Sequence, residues 1–177
     1  QCSSTKIKNN IKRVEPDIYD ADYYLYSYNR DEQKYILELD RMPISLKRCF
    51  NYASPKPGEK ILDLGCGRGH LAYYCAVNGC NVVAVDYSKA AVELANKTRD
   101  ALPESLRQNM IVREMDFRDL ETSEKYDIIF MADLLEHLYD WQLKELFQKA
   151  GEILKEDTGR IVMHTAPNKT WIKIIFP

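Results

Sequence analysis

The chain has 177 residues, 45% of them apolar, with 25 Lys+Arg against 27 Asp+Glu and a formal net charge of −2. One domain is the natural expectation at that length, burying about 70% of the surface its unfolded form exposes, so a core forms without disulfides. The near-neutral balance argues against bulk binding along a nucleic-acid backbone, and no apolar run reaches the roughly 20 residues a bilayer span needs.

Residues 1–30 differ from the rest. Lys6, Lys8, Lys12 and Arg13 sit in a polar stretch with little periodicity, expected to be a loose arm, and carry no signal-peptide pattern. The chain starts without Met, so a processed or cut-out segment is expected. A tyrosine cluster follows: Tyr19, Tyr23, Tyr24, Tyr26 and Tyr28. From Asp31 to about Ala53, the apolar positions Ile36, Leu37, Ile44, Cys49, Phe50 and Ala53 predict two helical pieces. Pro43 should open the second, and Pro55, Pro57 and Gly58 should end it.

Past Glu59 the pattern alternates. Ile61-Leu62, Val82-Val83-Ala84-Val85, Met110-Ile111-Val112, Ile128-Ile129-Phe130-Met131 and Ile161-Val162-Met163 read as buried parallel strands. One helix is expected after Ser88, with Ala91, Leu94, Ala95, Thr98 and Leu102 on its stripe. Another is expected after Asp140 as N-cap, with Leu143, Leu146, Phe147, Ala150, Ile153 and Leu154 on one face. Phe117 to Lys125 has room only for a turn or a short helix. Strands alternating with helices predict right-handed crossovers and a parallel α/β sheet. Cys2, Cys49, Cys66, Cys75 and Cys80 form no C-x-x-C pair, which suits reduced thiols in a cytoplasmic protein better than a disulfide framework or a zinc site.

The informative run is Ile61-Leu62-Asp63-Leu64-Gly65-Cys66-Gly67-Arg68-Gly69-His70, where the first strand gives way to a helix. Glycines there let the backbone turn tightly and bring helix N–H groups close to a ligand. A dinucleotide fingerprint needs its third glycine at position 70, which is His70, and a phosphate loop needs Lys then Ser/Thr after its last glycine. Neither is present, which disfavours a nicotinamide oxidoreductase and a nucleoside triphosphatase.

Asp63-Leu64-Gly65-Cys66-Gly67-Arg68-Gly69 closely resembles the first motif of class I S-adenosylmethionine-dependent methyltransferases, and the resemblance covers about residues 60–168. Asp86, in Val85-Asp86-Tyr87-Ser88, stands where that family keeps an acidic residue for the ribose hydroxyls. Met115-Asp116-Phe117 stands where the family brackets the adenine. Leu134-Leu135-Glu136-His137-Leu138 looks like the loop after the fourth strand, and His164-Thr165-Ala166-Pro167-Asn168 like the end of the fifth.

The resemblance implies a Rossmann-like parallel sheet of order 3-2-1-4-5 with helices on both faces. Residues 1–58 form an N-terminal arm and helical cap, and residues 59–177 an S-adenosylmethionine-binding core truncated after the fifth strand. It implies methyl transfer from S-adenosylmethionine, leaving S-adenosylhomocysteine, to an oxygen or nitrogen of a small or medium-sized acceptor. The implied cofactor-binding set is Asp63, Gly65, Cys66, Gly67, Gly69, Asp86, Tyr87, Ser88, Asp116, Phe117, Ala132 and Asp133, with Tyr19 and Tyr24 from the cap. An acidic mouth of Asp63, Asp86, Asp116 and Asp133 suits a cationic sulfonium. His137 is the expected base, and His70 is read as structural. No metal is expected; Asp133, Glu136 and His137 leave a divalent-metal-dependent transfer as the alternative, beside a non-catalytic cofactor-binding scaffold. The apolar tail Thr170–Phe176 has no home in the core, where the family continues into a further helix and hairpin, and is a candidate surface for self-association or a partner.

Overall fold

A computed structural model describes residues 18–26, 42–121 and 123–165 of the chain. The arm Lys6–Arg13, Tyr28, the first helical piece before Pro43, and the tail with Ala166, Pro167 and Asn168 lie outside the described residues.

The element order is α1 (Ala21–Tyr26), α2 (Ile44–Ala53), β1 (Lys60–Leu64), α3 (His70–Val77), β2 (Asn81–Asp86), α4 (Lys89–Asp100), α5 (Glu104–Arg107), β3 (Met110–Glu114), β4 (Ile128–Ala132), α6 (Asp140–Ile153) and β5 (Arg160–His164). Single 3₁₀ turns at Phe117–Asp119 and Leu135–His137 follow β3 and β4. The strands form a five-stranded sheet in the order β3-β2-β1-β4-β5, every pairing parallel, as the sequence predicts. In β1, adjacent to both β2 and β4, Ile61 pairs with Val82 and with Ile128.

The period of two sorts each strand between the two faces. Ile61, Val82, Ala84, Ile128 and Phe130 pack with Leu71, Ala72, Cys75 and Ala76 of α3 and with Cys49 and Ala53 of α2. Leu62, Leu64, Val83, Val85, Ile129 and Met131 pack with Leu146, Ala150 and Ile153 of α6. Ser88 caps α4, its hydroxyl accepting the Ala91 N–H at 3.3 Å.

Three expectations need correction. The third strand is not fully buried: β3 is an edge strand, and Ile111 stands 46% exposed, as Met163 on the opposite edge is 49% exposed. Asp140 is the first residue of α6 and not its cap; Tyr139 holds that place, its N–H donating to the Gln142 side chain at 3.1 Å. Phe147 points away from the apolar face of α6 and is 41% exposed. Of the pieces before residue 55, α2 packs against the sheet through Cys49 and Ala53. Its end is stapled by Arg160, whose Nε donates to the Ala53 carbonyl at 3.0 Å while its guanidinium grips Glu59.

Among the described residues no helix is long and apolar enough to cross a membrane, and Cys49, Cys66, Cys75 and Cys80 are unbridged.

Phe130 is fully buried on β4 against the α2–α3 face. Phe130→Ala should therefore cost about 3–5 kcal/mol, read as a lower urea midpoint with an unchanged slope.

Candidate functional site

The loop from β1 to α3 is pinned to β2 before it turns. The N–H groups of Gly65 and Cys66 both donate to the Val85 carbonyl, at 2.9 and 3.0 Å. Gly69 then opens α3 in the left-handed region at φ 77°, where a Cβ would meet Met110 Cε at 3.0 Å and Ala95 Cβ at 3.2 Å. A side chain there would be strained by its backbone and blocked by its neighbours.

Asp86, at the end of β2, ties this loop to α4. Its Oδ2 accepts the Gly67 N–H at 2.9 Å, and its Oδ1 accepts the Ser88 N–H at 2.9 Å. Burial pushes its carboxyl above the usual carboxylate range, and those N–H bonds pull against that rise. The Tyr87 N–H bonds the same carboxylate, and the acceptor capacity that remains can take a ligand hydroxyl.

Asp63 is built differently. It is 3% exposed, and its Oδ2 has no hydrogen-bond partner among the described residues. Burial first, then the Asp86 charge, raises its carboxyl to about 7, against a backbone bond from Ala72. A buried acceptor without a donor costs free energy unless a ligand supplies one. Asp63 is among the residues that line a cavity, so a cationic donor bound there would lie beside its charge.

The N-terminal segment closes over these groups. The Ser88 hydroxyl donates to the Tyr19 carbonyl at 2.6 Å. The Tyr24 ring lies 3.5 Å from where a Gly67 Cβ would stand, and burial followed by the Asp86 charge raises its phenol. Tyr19 packs edge-on against Tyr23 at 5.0 Å and against His137 at 5.4 Å between ring centroids, and tilts toward Tyr87 at 5.8 Å.

Across the cavity, Asp116 arrives already paired. Arg118 Nε donates to its Oδ1 at 2.8 Å and the terminal nitrogen to its Oδ2 at 2.6 Å. Asp133 follows β4 with a left-handed backbone, φ 54°. Its N–H donates to the His164 carbonyl at 2.8 Å, and its Oδ1 lies 2.5 Å from His164 Nδ1. Glu136 accepts the Thr165 hydroxyl at 2.9 Å.

The cavity these groups enclose has a volume of about 260 Å³. It gathers Tyr19, Tyr24, Asp63, Gly65, Cys66, Gly67, Asp86, Tyr87, Asp116, Phe117, Ala132, Asp133 and His137 of the expected site residues. Gly69 and Ser88 stand outside it, as helix starts. The Asp133, Glu136 and His137 side chains do not converge: among the described residues no three His, Cys, Asp or Glu side chains are grouped to hold a metal ion. His70 does line the cavity, buried, with burial and then the Arg68 charge lowering its imidazole to about 4. Tyr23, Leu46 and Gln142 also line it and were not singled out. Only Tyr23 carried a signal, as a member of the tyrosine cluster.

Residues 61–157 match the family model described as a methyltransferase domain. The chain belongs to the class I S-adenosylmethionine-dependent methyltransferases. It is 34% identical over 114 residues to (S)-coclaurine N-methyltransferase of Papaver somniferum, covering 63% of this chain and 31% of that protein. It is 30% identical over 142 residues to a ubiquinone biosynthesis O-methyltransferase of Bartonella bacilliformis, covering 79% of this chain and 51% of that protein. The chain thus spans about a third to a half of these relatives' lengths. Among solved structures, coclaurine N-methyltransferase bound to N-methylheliamine and S-adenosylhomocysteine superposes with TM-score 0.56 at 30% identity, over 67% of this chain and 34% of that one. The CcbJ methyltransferase of Streptomyces caelestis superposes with TM-score 0.67 at 20% identity, over 85% and 58%; that likeness is one of fold.

Asp63 sets a pH dependence in the unliganded protein. Its folded pKa of about 7 lies above the unfolded carboxylate value of about 3.9. The folded state therefore binds the extra proton between those values. The stability that proton gives is complete below the unfolded value and lost as pH rises through about 7. Urea melts at pH 5 and pH 8 should show lower stability at pH 8, and Asp63→Asn should flatten the difference.

Proposed function

We propose that the cavity binds S-adenosylmethionine and directs its methyl to an oxygen or nitrogen of a small or medium-sized acceptor. The observation that carries the reading is Asp63, a buried carboxylate among the cavity-lining residues whose Oδ2 has no donor among the described residues, next to Asp86. An amino acid ammonium fits the first, and a ribose hydroxyl fits the acceptor capacity that the backbone N–H groups leave on the second. Phe117 and Met115 offer apolar contact to a base on the β3 side. The unbridged cysteines support a cytoplasmic setting.

The bound cofactor supplies a sulfonium methyl with a ready leaving group, so the protein's task is to orient, exclude water and manage a proton. Tyr19, Tyr23 and Tyr24 cover the cavity and keep water from it. His137 lies on the β4 side, held edge-on by Tyr19. Its imidazole takes the proton that the acceptor must lose.

Calorimetry with S-adenosylhomocysteine should show binding to the wild type and a loss of about 1.5–3 kcal/mol in Asp86→Ala. No binding, or tight NADH binding instead, would overturn the reading. His137→Ala should lower kcat about 10²–10⁴-fold with cofactor affinity nearly unchanged. Equal losses in turnover and cofactor binding would make His137 a structural residue. Binding without transfer to any acceptor would favour the scaffold.

A further inference from the structure

The hydrogen-bonding capacity of one cavity-lining side chain, Gln142, is only half used by the fold. Gln142 is the third residue of α6, 5% exposed, and it borders the cavity. Its Oε1 accepts the Tyr139 N–H at 3.1 Å. A backbone N–H only donates, so that bond fixes which end of the carboxamide is oxygen and which is nitrogen. The Nε2 carries two N–H donors and donates to none of the described residues. Leaving such a group unmatched in a buried side chain costs free energy comparable to a lost hydrogen bond. That nitrogen is not sealed from solvent, and the open space that Gln142 borders is the cavity.

The anchoring of α6 decides which part of the cavity this donor serves. Leu146, Ala150 and Ile153 pack the helix across the sheet face that carries Leu64, Val85 and Met131. The helix also packs against the 3₁₀ turn Phe117–Asp119 after β3. Arg118 of that turn, which grips Asp116, lies 5.9 Å from the centre of the Trp141 ring. The start of α6 is thereby tied to the end of β3, and Gln142 enters the cavity on the side that Met115, Asp116 and Phe117 line. Of these four residues Gln142 alone carries a side-chain N–H.

Apolar side chains beside a single amide donor suit a flat heterocycle with an acceptor nitrogen on its rim. With the cofactor's ammonium at Asp63 on β1 and its ribose at Asp86 on β2, as proposed, the base falls toward β3, the next strand of the sheet. Adenine offers ring nitrogens N1, N3 and N7 as acceptors, whereas its amino group donates and is mismatched to an amide N–H.

We infer that Gln142 is a specificity-determining residue for the cofactor's base: its Nε2 donates a hydrogen bond to one ring nitrogen of the adenine, with Tyr139 holding the carboxamide in that orientation. The inference rests on the proposed S-adenosylmethionine site and adds a residue that recognises the base there. A base with C–H at that ring position leaves the buried donor unpaired, and the site selects against it.

The test is calorimetry with S-adenosylhomocysteine and its 1-deaza, 3-deaza and 7-deaza analogues, each with one ring nitrogen replaced by C–H, on the wild type and Gln142→Leu. Gln142→Leu should bind S-adenosylhomocysteine about tenfold more weakly than the wild type does. One analogue should show a similar loss in the wild type, and it should bind both proteins equally, because the bond that the substitution removes is already missing from it. Gln142→Glu keeps an oxygen for the Tyr139 N–H and puts an acceptor where the donor was. At pH 8 it should keep the wild-type urea midpoint and weaken S-adenosylhomocysteine by at least about tenfold. If Gln142→Leu fails to fold, Gln142→Glu decides by the same comparison across the analogues. Undiminished affinity for S-adenosylhomocysteine in the folded variants overturns the inference. Equal losses for S-adenosylhomocysteine and all three analogues overturn it as well, and make Gln142 a residue of the helix start alone. Both of these outcomes leave the cofactor site standing. If S-adenosylhomocysteine fails to bind the wild type, the cofactor reading falls first and the Gln142 assignment with it.

Discussion

Asp86 holds three parts of the structure in one place with a single side chain. Its two oxygens accept the Gly67 N–H from the glycine loop and the Ser88 N–H from the start of α4. Ser88 in turn caps α4 and donates its hydroxyl to the Tyr19 carbonyl. The end of β2, the loop after β1, the first turn of α4 and the N-terminal segment are thus linked by two hydrogen bonds to one carboxylate and two made by the Ser88 hydroxyl. A carboxylate suits this place because it accepts several N–H bonds at once, and charge-assisted bonds are about twice as strong as neutral ones. Loop position and ligand recognition then depend on the same group, so neither can shift alone.

Four aspartates at four strand ends illustrate how environment divides the work of one residue type. Asp63 is buried with an unmatched oxygen and titrates at about 7. Asp86 is buried but satisfied by backbone N–H groups. Asp116 is neutralised by Arg118 two residues away. Asp133 is the most exposed of the set, its side chain 46% accessible, and is steered by His164. A sheet edge lined with four identical charges would repel itself if all were equally solvated and unpaired. Partial protonation, N–H bonds, an arginine and an imidazole each relieve one member, and together they keep the edge stable before any ligand enters.

The sheet was legible because its signal is local and repeated. Apolar runs at Ile61-Leu62, Val82–Val85 and Ile128–Met131 report strands buried on both faces, and the order follows once their motifs must meet at one edge. The site was legible where a motif fixed backbone and chemistry together, as at Gly67 and Asp86. What stayed hidden depends on partners distant in sequence. Ile111 carries the same apolar signal as a buried position, and only its edge placement exposes it. Nothing near Asp133 announces His164, 31 residues away, or a left-handed backbone. Arg118 beside Asp116 was visible in the sequence, yet only the folded turn shows that it occupies both carboxylate oxygens.

The roof of the cavity comes from chain that precedes the sheet, and this has an energetic consequence. The strand ends alone would leave Asp86 and the glycine loop in contact with water, where an ionic or hydrogen-bonding partner gains little over solvent. Tyr24 against Gly67 and Tyr19 on Ser88 remove that water while adding ring surface in its place. The roof is attached through the Ser88–Tyr19 bond and through side-chain hydrogen bonds of Tyr19 with Tyr87 and of Tyr24 with Ser88, and α1 is only six residues long. So short a helix has little stability of its own and depends on its tertiary contacts. A ligand that fills the cavity adds such contacts beneath the tyrosines and strengthens the closed arrangement. Ligand binding and roof closure therefore share one free energy, and substitutions in the tyrosine segment will act on affinity even where they touch no ligand atom.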